Sequence, residues 1–253
     1  MSLNKAKIRT SFAQASNSYD SAADLQRTIA NELLNQLSTL NGTVLDIGCG
    51  TGFLTQALQT YQPEQLIALD IALPMLNTAR KKLDNRVHYV CADAEALPFA
   101  PHSIDMILSN VALQWCSDKV FQSLRRVLKP KGQLLFSTFA PHTLFELKTA
   151  WQNVDEYSHV NEFYTAEQLT DFLKQAGFTT VTIKQMSYTR YYDSVLALMR
   201  ELKHIGAHHV QQGRNTHITT KTAMQQMIKH YEQQFGQNQR VPASYKVFII
   251  SAI

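Results

Sequence analysis

The sequence predicts an α/β fold, a mostly parallel sheet with helices on both faces. Three observations carry this. Strand-length apolar runs and helix-period runs alternate from Val44 to Phe139, the pattern of a parallel sheet whose crossovers are helices. A loop of three alternating glycines, VLDIGCGTG (Val44–Gly52), stands directly after the first apolar run. The chain closes on a further apolar run, SYKVFIISAI (244–253), long after the alternation has stopped.

Taken in order, residues 1–40 read as helical with a break near Asn17–Ser21, because Leu25, Ile29, Leu33, Leu34 and Leu37 recur at helical spacing. VLDIG is a strand and TGFLTQALQTY a helix; QLIALD is a strand; LPMLNTARKKL is a helix opened by a proline-containing turn. VHYVCAD is a strand, followed by a loop with Pro98 and Pro101. SIDMILSNV is a strand, SDKVFQSLRRVL a helix, KPKGQ a turn and QLLFSTF a strand. Residues 141–175 read as mostly helical, ending TAEQLTDFLKQAGF with Gly177 as C-cap. FTTVTIKQMSYTRYY (178–192) alternates as a strand, residues 193–235 read as helices, and SYKVFIISAI is the last strand. No repeat, low-complexity segment or linker divides the chain. We therefore expect one domain over 1–253: N-terminal helices (1–40), a binding core (41–140), cap helices with one strand near 178–192 (141–240), and the last strand (241–253).

A chain of 253 residues has room for a full core. Its 24 Lys plus Arg against 20 Asp plus Glu are mildly basic. Without a dense basic run or a basic stripe with interleaved aromatics, nucleic acid is not an expected partner, while an acidic partner is compatible. Cys49, Cys91 and Cys116 have no C-x-x-C spacing and are odd in number, which fits a reducing, cytoplasmic compartment rather than a disulfide framework. The N-terminus has no apolar signal-peptide core, and no window approaches the roughly 20 apolar residues of a membrane span.

Gly48, Gly50 and Gly52 follow the first strand and open a helix, so a backbone there approaches a ligand closely. Dinucleotide sites use G-x-G-x-x-G against a pyrophosphate. Here the spacing is G-x-G-x-G, and Asp46 stands two residues before the first glycine. A carboxylate there disfavours a pyrophosphate and suits an ammonium or sulfonium. Asp70 ends the second strand, where an acid accepts from two ribose hydroxyls. Asp93 and Ala94 end the third strand and suit adenine: carboxylate to the exocyclic amine, backbone N–H to a ring nitrogen. Asn110 ends the fourth strand and offers its backbone carbonyl beneath the ligand; Met75, in the helix after the second strand, completes the set. Capping of the following turns would also explain each acid singly. The ordered set points to S-adenosylmethionine as methyl donor, bound without a metal.

This set resembles the class I S-adenosylmethionine-dependent methyltransferases. The resemblance implies a Rossmann-like, seven-stranded, mostly parallel sheet with an antiparallel last strand, which SYKVFIISAI would supply, and a helical cap. Four further segments, SYDSAADLQR (18–27), LQWC (113–116), TFAPHTLFELKTAWQNVDE (138–156) and LMRELKHIGAHHV (198–210), resemble the malonyl-acyl-carrier-protein O-methyltransferases of biotin synthesis from about residue 5 to the end. That resemblance implies methylation of the free carboxylate of a malonyl thioester, on acyl carrier protein or coenzyme A. A carboxylate acceptor needs no general base, and no convincing base is found. Arg200, Lys203 and His204 fall on one face of a helix, and Arg200 is expected to orient the carboxylate, with Tyr19 and Trp115 walling the site. Two alternatives stay open: methylation of a free small acid or quinone precursor, and a non-catalytic protein that binds S-adenosylmethionine. His204, His208 and His209 lack an H-E-x-x-H pattern, so no zinc site is expected.

Overall fold

A computed structural model describes residues 5–37, 39–207 and 219–253. The strands are β1 (Thr43–Ile47), β2 (Gln65–Asp70), β3 (Val87–Cys91), β4 (Ile104–Asn110), β5 (Leu128–Phe139), β6 (Val181–Tyr192) and β7 (Val241–Ala252). Among the described residues they form one seven-stranded sheet in the order β3-β2-β1-β4-β5-β7-β6. β1, β2, β3, β4 and β5 pair in parallel, and β7 runs antiparallel to both β5 and β6. The expected seven-stranded sheet with a reversed last strand is thus the observed one. Strand order reverses at β1, which lies between β2 and β4, and such a switch point opens a crevice at the carboxyl ends of the strands.

Burial explains which runs became which strands. In β1, Val44, Leu45, Asp46 and Ile47 are all buried, as in a strand covered on both faces. β6 alternates between half-buried and exposed along most of its length, as an edge strand with one wet face does. Two apolar clusters flank the sheet. One joins Val44, Leu135, Val247 and Ile249 to α3 (Asp24–Leu34), α7 (Phe145–Gln152), α9 (Val195–His204) and α10 (Lys221–Phe235). The other joins Leu45, Ile107 and Phe136 to α6 (Val120–Val127) and α8 (Ala166–Gln175). The remaining helices are α1 (Lys5–Ala15), α2 (Tyr19–Ala22), α4 (Phe53–Gln59) and α5 (Leu73–Arg80). α5 carries Pro74 in its first turn, where the missing N–H costs nothing. The break expected near Asn17–Ser21 falls between α1 and α2.

Two elements differ from expectation. KPKGQ is a bulge within β5 rather than a turn between elements: Leu128 pairs with Ile104 and Gln133 with Met106, so two steps along β4 span five along β5. Lys129 holds the bulge by an ion pair with Asp105 at 2.7 Å. Residues 141–175 hold two helices separated by irregular chain, because Trp151, which ends the buried face of α7, stacks on His159 (centroids 3.7 Å, planes 6° apart) instead of continuing the helix. Among the described residues no helix is long and apolar enough to cross a membrane.

Candidate active site

The carboxyl ends of β1, β2, β3 and β4 converge on a cavity of about 100 Å³ lined by Gly48, Gly50, Asp70, Met75, Asp93, Ala94, Asn110 and Trp115. A smaller cavity under the glycine loop, lined by Asp46, Gly48, Gly50, Gln26 and Arg27, adjoins it. Tyr19 lines both. Eight of the nine residues expected to hold the donor therefore lie on two adjoining cavities. Gly52 does not. A Cβ there would stand 3.0 Å from Ala79 and Leu83, so this glycine lets α4 and α5 pack closely.

Gly48 has a φ of +68°, and a Cβ on it would come within 2.3 Å of the Ala112 Cβ, so only glycine fits between the ends of β1 and β4. Gly50, at φ +54°, faces nothing within 4 Å, which leaves a cradle a ligand can enter. Its N–H donates to Asp70 Oδ2 at 3.0 Å, and the Ala72 N–H donates to Asp70 Oδ1 at 2.8 Å. Burial pushes Asp70 up to about 6, against the lowering effect of these N–H groups. Asp46 is fully buried; Thr55 Oγ1 donates to its Oδ2 at 2.6 Å, and its Oδ1 has no partner. Burial pushes Asp46 up to about 7, opposed by the Thr55 hydroxyl and assisted by the Asp70 charge.

An unpartnered buried carboxylate oxygen, an open glycine cradle and an acid on the ribose side fit S-adenosylmethionine. The expected pairings, Asp46 with its ammonium, Asp70 with its ribose and Asp93 with Ala94 at its base, are compatible with this placement. One consequence is measurable. A cation beside Asp46 favours the ionised carboxylate, so binding releases a proton. Affinity for S-adenosylmethionine should rise about tenfold from pH 6 to pH 8. Calorimetry in two buffers of different ionisation enthalpy checks the proton release, and Asp46→Asn should flatten the profile.

Asp93 does double duty. Its Oδ1 accepts from the Glu95 N–H at 3.0 Å, capping the 3₁₀ turn Ala94–Ala96, and its Oδ2 takes the Lys5 ammonium at 2.5 Å. Lys5 also meets Glu95 at 2.7 Å, and the two carboxylates raise its pKa despite the cost of burial. α1 thereby crosses the adenine end, with Ile8 and Phe12 beneath it. The Asn110 side chain is committed elsewhere: Nδ2 donates to the Gln26 backbone carbonyl at 2.9 Å, and Oδ1 accepts from Ser137 Oγ at 2.8 Å. This pins α3 to β4 and β5.

Residues 18–27 lie on the glycine loop. Thr51 Oγ1 donates to Asp20 Oδ1 at 2.6 Å, Lys82 pairs with the same carboxylate, and Arg27 Nη1 donates to the Asp20 carbonyl at 2.9 Å. Arg27 was not among the residues expected from the sequence to hold the donor. It is the cation on the glycine-loop cavity and suits the donor's carboxylate. The signal was the basic residue closing SYDSAADLQR.

A third cavity, about 640 Å³, opens on the other side of Tyr19. It shares Phe12, Val111 and Trp115 with the adenosine cavity and Gln26 with the glycine-loop cavity. Trp115 and Phe12 meet edge to face at 5.5 Å. Its far wall comes from α7, the chain after it, α9 and β7, with Leu147, Trp151, His159, Glu201, Leu202 and Tyr245. Glu201 Oε1 accepts from the Tyr192 hydroxyl at 2.7 Å. Tyr19 and Trp115 both line this cavity. Arg200 does not. It is exposed and absent from the lining, because Leu198, Leu202 and Ile205 turn α9 inward and carry Arg200, Lys203 and His204 to the outer face. Equal spacing identified residues that share a face but not the direction of that face. Among the described residues no group of three His, Cys, Asp or Glu could hold a metal; His208 and His209 lie outside the described residues.

A family model described as a methyltransferase domain matches residues 45–136. The chain is 41% identical over 252 residues to the biotin biosynthesis bifunctional protein BioHC of Cellvibrio japonicus, covering 98% of this chain and 50% of that one. It is 39% identical over 259 residues to the malonyl-[acyl-carrier protein] O-methyltransferase of a Methylovorus species, covering 97% and 87%. The chain spans about half the length of the bifunctional relatives it matches. Among solved structures, the YcgJ protein of Bacillus subtilis matches with a TM-score of 0.64 at 20% identity, covering 89% of this chain and 97% of that one, a likeness of fold.

Proposed function

The chain belongs to the malonyl-[acyl-carrier protein] O-methyltransferase family, and from that premise we propose that it methylates the free carboxylate of a malonyl thioester on acyl carrier protein, as a cytoplasmic step toward biotin. The observation that carries this reading is the large acceptor cavity joined to the donor cavities through Phe12, Tyr19, Val111 and Trp115. Its volume of about 640 Å³ accommodates a thioester arm behind the acid, where a small free acid would leave most of it empty.

S-adenosylmethionine, when bound, supplies a methyl group on a good sulfonium leaving group. The protein's part is to bring the acceptor in line and exclude water. A carboxylate oxygen forms the new C–O bond while the C–S bond breaks with its electron pair left on sulfur. No proton moves, so no base is required. Tyr19 stays protonated, because burial and the Asp70 and Asp20 carboxylates raise its pKa, and it serves as a wall common to donor and acceptor.

Arg200 and Lys203, carried on the back of a cavity-lining helix, form a cationic face suited to an acidic carrier protein. The test is incubation with labelled S-adenosylmethionine and malonyl-acyl carrier protein, with malonyl-coenzyme A in parallel. We expect base-labile methyl ester, formed faster on the carrier. That advantage should shrink roughly tenfold at high salt, and likewise in an Arg200→Glu, Lys203→Glu variant whose coenzyme A rate is retained. Transfer to neither acceptor, with donor binding intact, would move the acceptor to a small molecule.

A further inference from the structure

Gln26 is nine-tenths buried on α3 and lines both the acceptor cavity and the glycine-loop cavity. The transferred methyl must cross that boundary. The backbone carbonyl of Gln26 is held by Asn110, so the side chain is not what anchors the helix. Its Oε1 is sealed from solvent without a donor. Its Nε2 bonds no described residue and is free to donate. The Trp115 indole N–H, on the wall shared by the acceptor and adenosine cavities, is likewise unsealed and bonds no described residue. Gln26 thus stands between the acceptor and glycine-loop cavities, and Trp115 between the acceptor and adenosine cavities.

We propose that Gln26 Nε2 and Trp115 Nε1 are the two donors that hold the acceptor carboxylate at the methyl-transfer point, a positioning role expected from the sequence of Arg200. This rests on the proposed carboxyl acceptor. Acceptor-only chemistry is what two N–H groups select, and a carboxylate supplies it. Neutral donors also leave the carboxylate its charge and a free lone pair for attack. A bidentate guanidinium would engage both oxygens.

A second carboxylate is close by, that of the donor's amino-acid end in the glycine-loop cavity, and the experiment separates the two. Gln26→Ala, Gln26→Glu and Trp115→Phe are compared for acceptor KM and kcat, for S-adenosylmethionine Kd by calorimetry, and for Tm. Losing one donor to a charged acceptor should raise the acceptor KM roughly tenfold in Gln26→Ala and Trp115→Phe. Gln26→Glu, which sets like charges together, should raise it roughly a hundredfold, and in Gln26→Ala, which adds no charge, donor Kd should stay within about twofold of wild type. A tenfold change in donor Kd with acceptor KM unchanged would assign Gln26 to the donor's carboxylate and overturn the proposal. Unchanged values for both would make it a wall residue and also overturn it. Wild-type turnover tests the parent reading; the variant-to-wild-type ratios test this one.

Discussion

Asp70→Ala should abolish useful binding of S-adenosylmethionine while leaving the melting temperature nearly unchanged. Asp70 is 7% exposed and accepts from the Gly50 and Ala72 N–H groups. Removing it leaves two N–H groups without acceptors, about 1–3 kcal/mol each when buried. Against this stands the strain of holding a carboxylate there. Its folded pKa of about 6 is above its unfolded value, so its contribution to stability is full below about pH 4 and is lost as pH rises through 6. At pH 8 its removal returns about 3 kcal/mol. The two effects nearly cancel in the fold. They do not cancel in the complex, where two ribose hydroxyls lose a charged acceptor, about 1.5–3 kcal/mol each, or a hundredfold or more in Kd. Calorimetry and thermal unfolding at pH 8 check both halves. A large fall in Tm with modest loss of affinity would mean that Asp70 is chiefly a loop brace.

How much of this was legible in the sequence depended on the range of the interaction. β1 and β2 were readable because strands buried on both faces are continuous apolar runs, and the glycine loop because its spacing is local. The bulge at KPKGQ was not, since turn residues serve equally in a bulge and only the pairing of Gln133 with Met106 reveals it. Lys5 on Asp93, 88 residues apart, and Asn110 on the Gln26 carbonyl, 84 apart, leave no local trace. Arg200 failed for a related reason. Periodicity groups residues on a face, whereas the direction of that face is set by Leu198, Leu202 and Ile205 packing inward.

The glycine loop allows stability and ligand binding to be separated within three residues. Gly48→Ala would set a methyl 2.3 Å from the Ala112 Cβ at a φ of +68°. Both methyls are tethered to backbone, so the segment after β4 must shift, and Val111 and Trp115 with it. A left-handed alanine costs about 1–2 kcal/mol and overpacking about 1–3. In a chain of this size that lowers Tm by roughly 5–15 °C, and donor affinity falls with the displaced wall. Gly50→Ala, with nothing within 4 Å, carries only the backbone cost. It should lose a few degrees, yet its methyl occupies the cradle, so donor binding fails in a protein that remains folded. Adding Ala112→Gly to Gly48→Ala removes the collision but not the strained φ, so it should recover the larger part of the lost Tm, and the same change in wild type should not raise it. A positive coupling of about 1–3 kcal/mol in that cycle would locate the damage in the contact between the ends of β1 and β4. Its absence would mean that the loop relaxes freely, and that Gly48 is needed for the ligand rather than for the fold.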